Sequence, residues 1–219
     1  MIVVGLTGSI GMGKSVMARQ FRRLRVPVHE SDAAVHKLLR KGGAAVKAVA
    51  KAFPQTLVNG AIDRKKLGQI VFADDAARKK LEKILHPLVR ADSSRFLKLC
   101  RAQGHKMAVL DIPLLFETHQ EWRFDHILCV TAPHFVQKRR VLSRKGMTES
   151  RFQAVLALQL PDALKQRKSD TVVNTARGLR HSYAAAKKLK KRLLKGLIVP
   201  DGQKRDKNKK SLGNHARHP

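Results

Sequence analysis

The stretch Met1-Ile-Val-Val-Gly5-Leu-Thr-Gly8-Ser-Ile-Gly11-Met-Gly13-Lys14-Ser15 decides the fold of this chain. A short apolar run leads directly into a glycine-rich turn, and the spacing Gly8-x-x-x-x-Gly13-Lys14-Ser15 satisfies the Walker A pattern. The residues before the turn have the composition of a strand over 2–6, and those after it have the spacing of a helix. The sequence therefore predicts a phosphate-binding loop between a first strand and a first helix.

This loop contains the residue types that binding of a nucleoside triphosphate requires. Glycines allow backbone N–H groups to approach phosphate oxygens closely, and the following helix directs its first N–H groups and its positive dipole end at the same anion. We expect Lys14 to reach the β- and γ-phosphates of ATP and the Ser15 hydroxyl to ligate Mg²⁺. The predicted nucleotide-binding residues are Gly8, Ser9, Ile10, Gly11, Met12, Gly13, Lys14 and Ser15.

Length and composition limit the classes of protein to which this chain can belong. The 219 residues suffice for one sizeable core with an inserted subdomain. The net charge of +30 would attract nucleotides, nucleic acid and anionic lipid alike, so charge alone does not choose among them. No apolar run reaches the roughly 18 residues of a membrane span, and Cys100 and Cys129 lack the spacing of a zinc site. We expect a cytoplasmic protein without membrane contact.

The order of the elements predicts an α/β protein with a parallel sheet. Strand-like runs over 2–6 and 26–30 come first, and helical patterns without strands then extend from 41 to about 106. The longest apolar run, 107–116, has too few polar residues for a half-exposed strand and belongs in the middle of a parallel sheet. Further strands are predicted over 126–131 and 171–174. One helix is predicted to begin at residue 31. The other predicted helices cover 14–25, 44–53, 63–72, 74–85, 87–100, 133–145, 149–160 and 178–197.

Two carboxylates follow predicted strands, at the edge where open α/β sheets bind ligands. Asp32 follows the second strand, where it could accept a proton from an attacking hydroxyl or hold a water on Mg²⁺. The alternative for Asp32 is a plain helix N-cap. Asp111 ends the third strand, roughly at the place of a Walker B acid that holds Mg²⁺, and a structural hydrogen-bonding role is its alternative.

Basic residues in two further stretches are candidates for the site. Arg140 and Arg144 are four apart, which would place both on one face of a helix. Two guanidinium groups there could neutralise charge on a transferring phosphoryl group, although a solvated basic face is the alternative. His86 precedes Pro87 between two predicted helices, where a histidine usually has a capping or packing role.

Together these stretches resemble one family, the dephospho-coenzyme A kinases. The resemblance covers about residues 2–175, and its most selective part is the joint occurrence of His86-Pro-Leu-Val and Pro113-Leu-Leu-Phe-Glu117. In place of the Asp-Asn of many members, this chain has Asn174-Thr175. The other matching stretches are 6–15, 30–34, Gln137 to Arg144, and Gln159-Leu-Pro followed by Lys165 and Asp170-Thr-Val-Val.

The resemblance implies both an activity and roles for individual residues. The activity is transfer of the ATP γ-phosphate to the ribose 3′-hydroxyl of dephospho-coenzyme A, the last step of coenzyme A synthesis. Asp32 matches the second Asp of the family's Asp-Ala-Asp and is implied as the general base. Arg140 and Arg144 match the lid arginines, while His86 and Arg90 fall in the coenzyme-binding insertion.

The implied architecture is a P-loop kinase fold, a five-stranded parallel sheet flanked by helices, with a helical insertion and a lid. The predicted domains are a nucleotide-binding core over 1–31, 107–132 and 168–199, a helical insertion over 32–106, a lid with flanking helices over 133–167, and a disordered basic tail over 200–219.

Two other functions stay open for a chain of this kind. One is another small-molecule or nucleoside (monophosphate) kinase of the same fold, and the other is a basic nucleic-acid-binding P-loop ATPase. Aromatic residues make up only 5% of the chain, with one Trp and one Tyr, which disfavours base stacking on exposed rings. We therefore expect no specific nucleic acid partner, and only nonspecific attraction of polyanions to the basic tail.

Overall fold

The computed structural model describes residues 1–197, so the predicted disordered tail over 200–219 lies outside the described residues. The chain divides into two compact units. The first, here called the P-loop unit, consists of residues 1–29 and 100–197. The second, the inserted unit, consists of residues 30–99.

Seven strands are described, five in one sheet and two in a hairpin. The order in the large sheet is β2-β5-β1-β6-β7. The strand β1 pairs in parallel with β5 and with β6, and β6 pairs in parallel with β7. The predicted five-stranded parallel sheet flanked by helices is confirmed. The strands are β1 (Ile2–Thr7), β2 (Val28–Glu30), β3 (Leu57–Val58), β4 (Ala61–Ile62), β5 (Met107–Asp111), β6 (His126–Thr131) and β7 (Thr171–Asn174).

The central strands are mostly apolar, as expected for a parallel sheet that is flanked by helices. All five residues of β5 are buried, and Val4 and Leu6 of β1 are fully buried. The register places Leu6 beside Asp111 on one side and beside Leu128 on the other. The carboxyl ends of β1 and β5 therefore lie side by side, and the phosphate-binding loop begins at this edge.

Nine helices lie within residues 1–197. None of them is long and apolar enough to cross a membrane. They are α1 (Lys14–Arg23), α2 (Ser31–Leu39), α3 (Val46–Ala52), α4 (Arg64–Ala73), α5 (Asp75–Ala102), α6 (His134–Leu142), α7 (Glu149–Ala157), α8 (Asp162–Arg167) and α9 (Leu179–Leu194).

The helix α5 corrects the prediction of two helices that meet at His86-Pro87. It is one helix of 28 residues with Pro87 inside it. A proline removes one backbone hydrogen bond from a helix and crowds the preceding turn. The apolar residues on either side of Pro87 are fixed by packing, because Leu85 belongs to the core of the inserted unit and Leu88 packs against that core. Tertiary packing thus outweighs the local preference for a break.

The strand predicted over 107–116 is also too long. The strand β5 ends at Asp111, and the Ile112 amide makes the next bond, to the Leu6 carbonyl at 2.9 Å. Pro113 has no N–H group to continue a ladder, so the chain turns there. Leu115 and Phe116 are nevertheless fully buried, which explains why the apolar run continues past the end of the strand.

The inserted unit has its own apolar core and a hairpin that the sequence interpretation missed. The strands β3 and β4 pair antiparallel around Asn59 and Gly60, which both have positive φ. Asn-Gly between two apolar pairs is a strong signal for a tight hairpin, so this element was predictable. The core consists of Leu39, Ala45, Val49, Phe53, Ile62, Leu67, Ala77 and Leu85.

Candidate functional site

The phosphate-binding loop connects the buried strand β1 to the helix α1. Gly13 is the N-cap of α1 and has no side chain that could accept a hydrogen bond from the first amides of the helix. Its φ of 89° lies in the left-handed region, and a Cβ at this position would lie 2.6 Å from the Thr175 Oγ1. Only glycine satisfies both conditions. The uncapped amides at the start of α1 match an anionic ligand.

One cavity, here called the phosphate cavity, brings the predicted phosphate-binding loop together with both arginines that the sequence singled out. It has a volume of about 330 Å³ and belongs entirely to the P-loop unit. Arg144 lies beyond the end of α6, so the prediction that Arg140 and Arg144 share a helical face is wrong, although both reach the same cavity. The lining residues are Ser9, Gly11, Gly13, Lys14, Ser15, Val16, Arg140 and Arg144.

The remaining residues of the predicted nucleotide-binding set belong to the loop but do not line the cavity. Gly8, Ile10 and Met12 are not in the wall of this cavity. Met12 is buried, and its sulfur accepts a hydrogen bond from the Ala132 amide at 3.1 Å. Gly8 leaves no room for a side chain, because a Cβ there would lie 2.5 Å from the Val130 carbonyl oxygen. These residues shape the loop from the side of the sheet.

Thr175 holds Arg140 against the loop. The Arg140 guanidinium donates to the Thr175 Oγ1 at 2.9 Å, to the Thr175 carbonyl at 3.0 Å and to the Gly11 carbonyl at 3.4 Å. The Thr175 hydroxyl in turn donates to the Met12 carbonyl at 2.8 Å. Thr175 is 2% exposed, so the groups that accept from the guanidinium are held within the protein and define its position. The Arg144 side chain is exposed and makes no hydrogen bond or ion pair within residues 1–197.

Two glutamines fix the loop at Ile10. The Ile10 amide donates to the Gln159 Oε1 at 3.0 Å, and the Gln137 amide nitrogen donates to the Ile10 carbonyl at 2.8 Å. Gln137 is almost completely buried. Both glutamines occur in stretches that carry the family resemblance, but no role was predicted for them from the sequence. Their contacts show that they position the loop backbone.

A buried ion pair supports the segment that contains Gln159. The Lys165 side chain is fully buried, and its Nζ lies 2.8 Å from the Glu117 Oε1. The same carboxylate oxygen accepts a hydrogen bond from the Leu160 amide at 2.8 Å, and Lys165 also donates to the Pro113 carbonyl at 3.3 Å. A buried charge requires such a partner. The stretches around Pro113, Gln159 and Lys165 thus form one connected support for the loop.

Asp111 ends β5 next to the loop-bearing strand. It is 8% exposed and belongs to the same unit as Ser15. A carboxylate and a hydroxyl are oxygen ligands of the type that Mg²⁺ takes, so the donor set fits this ion. Among residues 1–197, no group of three or more His, Cys, Asp or Glu could hold a metal by itself.

The two cysteines contribute no reactive group to the site. Cys100 and Cys129 are both buried and free. Burial raises the pKa of Cys129 to about 12, and it also raises the pKa of Cys100. Because the thiolate is the nucleophilic form, both residues act as buried apolar side chains.

Asp32 lines a second cavity, within the inserted unit. Its volume is about 400 Å³, and most of its wall is apolar. The N-cap of α2 is Glu30, so Asp32 lies in the first turn and the alternative role of a plain N-cap does not apply to it. The Asp32 side chain is exposed and makes no hydrogen bond or ion pair within the described residues. The other lining residues are Val35, His36, Leu39, Arg64, Leu67, Gly68, Val71, Leu81 and Leu85.

His86 and Arg90 lie one helical turn apart on α5, also in the inserted unit. His86 is half-buried and Arg90 is exposed. Neither residue is in the wall of the Asp32 cavity, whereas His36 and Arg64 are. His36 and Arg64 were not among the residues predicted from the sequence. His36 could have been predicted, because it lies one helical turn from Asp32 on the same helix.

The fold and the phosphate cavity define the chain as a P-loop kinase. Two solved structures share this fold. TT1252 from Thermus thermophilus matches with a TM-score of 0.74 at 31% identity, covering 90% of this chain and 98% of that chain. Dephospho-CoA kinase from Campylobacter jejuni matches with a TM-score of 0.66 at 24% identity, again over 90% of this chain and 98% of that chain.

Comparison with protein families makes the assignment more specific. The family model described as dephospho-CoA kinase matches residues 2–180. The dephospho-CoA kinase of Mesorhizobium japonicum is 53% identical over 184 residues, which cover 84% of this chain and 92% of that protein. The chain belongs to the dephospho-CoA kinase family. It is therefore a kinase, and its family implies ATP as the phosphoryl donor.

Proposed function

We propose that this chain transfers the γ-phosphate of ATP to the ribose 3′-hydroxyl of dephospho-CoA, with Asp32 as the general base. The observation that carries the proposal is the phosphate cavity, where the Walker A loop meets Arg140 and Arg144, in a member of the dephospho-CoA kinase family. The products are coenzyme A and ADP.

The residues of the P-loop unit are proposed to bind and orient the nucleotide. The loop amides and Lys14 hold the phosphates, and Arg140 and Arg144 neutralise the charge that spreads over the transferring phosphoryl group. Arg140 is held by Thr175, which reduces the reorganisation needed during the reaction. Ser15 and Asp111 are the proposed Mg²⁺ ligands, and the ion would neutralise phosphate charge when bound. Residues 133–167 are proposed as the lid.

The residues of the inserted unit are proposed to bind the acceptor. Asp32 accepts the proton of the 3′-hydroxyl, the hydroxyl oxygen bonds to the γ-phosphorus, and the bond from that phosphorus to the β,γ-bridging oxygen breaks. The apolar wall of the Asp32 cavity suits the aliphatic arm of a coenzyme. His86 and Arg90 are proposed to contact the acceptor from α5. The cytoplasmic location and the absence of a specific nucleic acid partner stay predictions.

An acceptor panel tests this proposal against the other kinases of the same fold. Purified protein is supplied with ATP and Mg²⁺ and with either dephospho-CoA, nucleosides or nucleoside monophosphates, and formation of ADP is measured. We expect turnover with dephospho-CoA well above that with every other acceptor. ATP consumption that is equal with and without dephospho-CoA, or preferred transfer to a nucleoside monophosphate, would contradict the proposal.

A further inference from the structure

A second cavity in the inserted unit is lined by cations that the proposed reaction does not use. It has a volume of about 260 Å³ and lies between the end of α2, the turn that follows it and the middle of α5. It shares no lining residue with the Asp32 cavity. Its lining residues are Lys37, Leu38, Arg40, Lys41, Gly42, Gly43, Ala44, Leu88, Ala91, Asp92 and Arg95.

The charges around this cavity are strongly unbalanced. Four cations line it, and Asp92 is the one carboxylate in its wall, so the lining residues carry a net formal charge of +3. Lys37 lies 3.7 Å from Asp92 and is thereby partly neutralised. Within residues 1–197, Arg40, Lys41 and Arg95 make no side-chain hydrogen bond or ion pair. Three unpaired cations therefore face one concave surface.

Backbone hydrogen bonds fix the turn from which two of these cationic side chains extend. The helix α2 ends at Leu39, and the chain turns back so that the Gly43 amide donates to the Arg40 carbonyl at 2.7 Å and the Ala45 amide to the Leu38 carbonyl at 3.1 Å. Ala45 is fully buried in the core of the inserted unit. The turn that carries Arg40 and Lys41 is thus anchored to the core, and Arg95 projects from the neighbouring helix α5.

This arrangement favours one class of ligand. Arginine forks bind phosphate oxygens with two parallel hydrogen bonds, and lysine adds a mobile point charge. A monovalent anion could satisfy one of these cations, whereas a diphosphate has enough oxygens for all three. The cavity exceeds the roughly 30 Å³ share of a water molecule several-fold, so it has room for such a group. The C-terminal end of α2 carries a partial negative charge of only about half of an elementary charge, so it neutralises little of the positive charge around the cavity.

We propose that this cavity binds a diphosphate group. The group could belong to the acceptor, because dephospho-CoA contains a diphosphate, or it could be free pyrophosphate or the diphosphate of a second nucleotide. Only the first source rests on the proposed function. The exposed position of the cations means that binding is weakened by salt.

Titration with inorganic pyrophosphate, followed by amide NMR, tests the proposal and locates the ligand. The Gly42 and Gly43 amides report on this cavity, and the Gly11 and Gly13 amides report on the phosphate-binding loop. We expect the Gly42 and Gly43 signals to shift with saturation. In the double variant Arg40→Gln/Arg95→Gln, we expect the dissociation constant from these signals to rise about fivefold, the effect of losing two exposed charge contacts. Signals that stay fixed, or a variant that titrates like the natural chain, would overturn the proposal.

A charge-matched control and a kinetic measurement complete the test. The variant Lys65→Gln/Lys66→Gln removes two exposed charges from the same unit outside the cavity, and it should titrate within about twofold of the natural chain. An acceptor KM that rises in the Arg40→Gln/Arg95→Gln variant, at constant KM for ATP, assigns the group to dephospho-CoA. An unchanged acceptor KM assigns it to free pyrophosphate or to a second nucleotide, and titration with ADP beside pyrophosphate then separates these two. Binding at Gly42 without phosphorylation of dephospho-CoA would contradict the proposed function alone.

Discussion

The phosphate cavity of the P-loop unit and the Asp32 cavity of the inserted unit are built in different ways. The phosphate cavity is lined by a backbone loop. Backbone groups of this loop form hydrogen bonds with the side chains of Gln137, Gln159 and Thr175, and these contacts fix the shape of the loop. The Asp32 cavity is a gap between helices with a mostly apolar wall. Its carboxylate makes no bond within the described residues.

This difference matches what each cavity is proposed to bind. A phosphate needs several N–H groups at fixed positions, which only a constrained backbone provides. An acceptor with a long aliphatic part needs apolar walls and a few polar groups, which ordinary amphipathic helices provide. The P-loop unit should therefore be sensitive to changes of backbone and hydroxyl groups. The inserted unit should be sensitive at Asp32 and tolerant elsewhere.

The largest expected effect is that of Asp32→Asn in the inserted unit. The amide keeps the shape of the carboxylate but accepts no proton, so kcat should fall by about 10²- to 10⁴-fold. Nucleotide affinity should change by less than about twofold, since the phosphates are proposed to bind to the P-loop unit. Steady-state kinetics and a nucleotide titration measure the two quantities.

The control for Asp32→Asn is Asp75→Asn, which removes an exposed carboxylate that pairs with Arg78 in the same unit. This variant should keep kcat close to that of the natural chain. Turnover that survives Asp32→Asn would remove the proposed base and erase the difference between Asp32 and any other carboxylate of the inserted unit.

A pair of Gly→Ala variants compares the backbone constraints of the two units. In Gly13→Ala the new Cβ meets Thr175 at a φ that costs an L-residue roughly 1–2 kcal/mol, so nucleotide affinity should fall by about tenfold or more. In Gly68→Ala, inside α4, a Cβ meets no atom within 4 Å. The second variant should raise the free energy of unfolding by roughly 0.5–1 kcal/mol. Nucleotide titration and denaturant unfolding measure the two effects, and equal nucleotide affinity in both variants would show that the loop is not constrained at Gly13.

The same difference explains which features the sequence revealed. The strand, glycine spacing and helix around Gly13 predicted the loop and the parallel sheet, because phosphate binding fixes the residue types at these positions. The support behind the loop was not predictable. Thr175 is 163 positions from Met12, and Glu117 is 43 from Leu160, so no local pattern connects them. The single helix through Pro87 was missed because packing on both sides of the proline outweighs its local preference.

The Asp32 cavity of the inserted unit could not be predicted from the sequence, for a different reason. Leu81 and Leu85 have the spacing of an ordinary core stripe, and both line the Asp32 cavity. A core position and an apolar cavity wall have the same sequence pattern. His86 and Arg90 were selected only by resemblance to the family, and their contacts with an acceptor stay a prediction.

The smallest expected effect on activity is that of removing the hydroxyl of Thr175, where this chain departs from the Asp-Asn of many family members. Thr175→Val keeps the shape of the side chain but removes the acceptor of Arg140 and the donor to the Met12 carbonyl. Arg140 keeps its bond to the Thr175 carbonyl at 3.0 Å, so it should lose orientation rather than leave the cavity. We expect kcat to fall by about tenfold, the equivalent of one lost hydrogen bond to a charged group.

Two variants separate this positioning role from a general loss of packing. Thr175→Ser restores the hydroxyl and should recover most of the lost turnover. Thr118→Val removes a hydroxyl that donates to the Leu114 carbonyl elsewhere in the P-loop unit, and it should leave kcat almost unchanged. If Thr175→Ser is as slow as Thr175→Val, the methyl group of Thr175 and not its hydroxyl holds the loop. The fixed geometry of the phosphate cavity would then depend on packing, as the Asp32 cavity does, and the two units would differ less than their hydrogen bonds indicate.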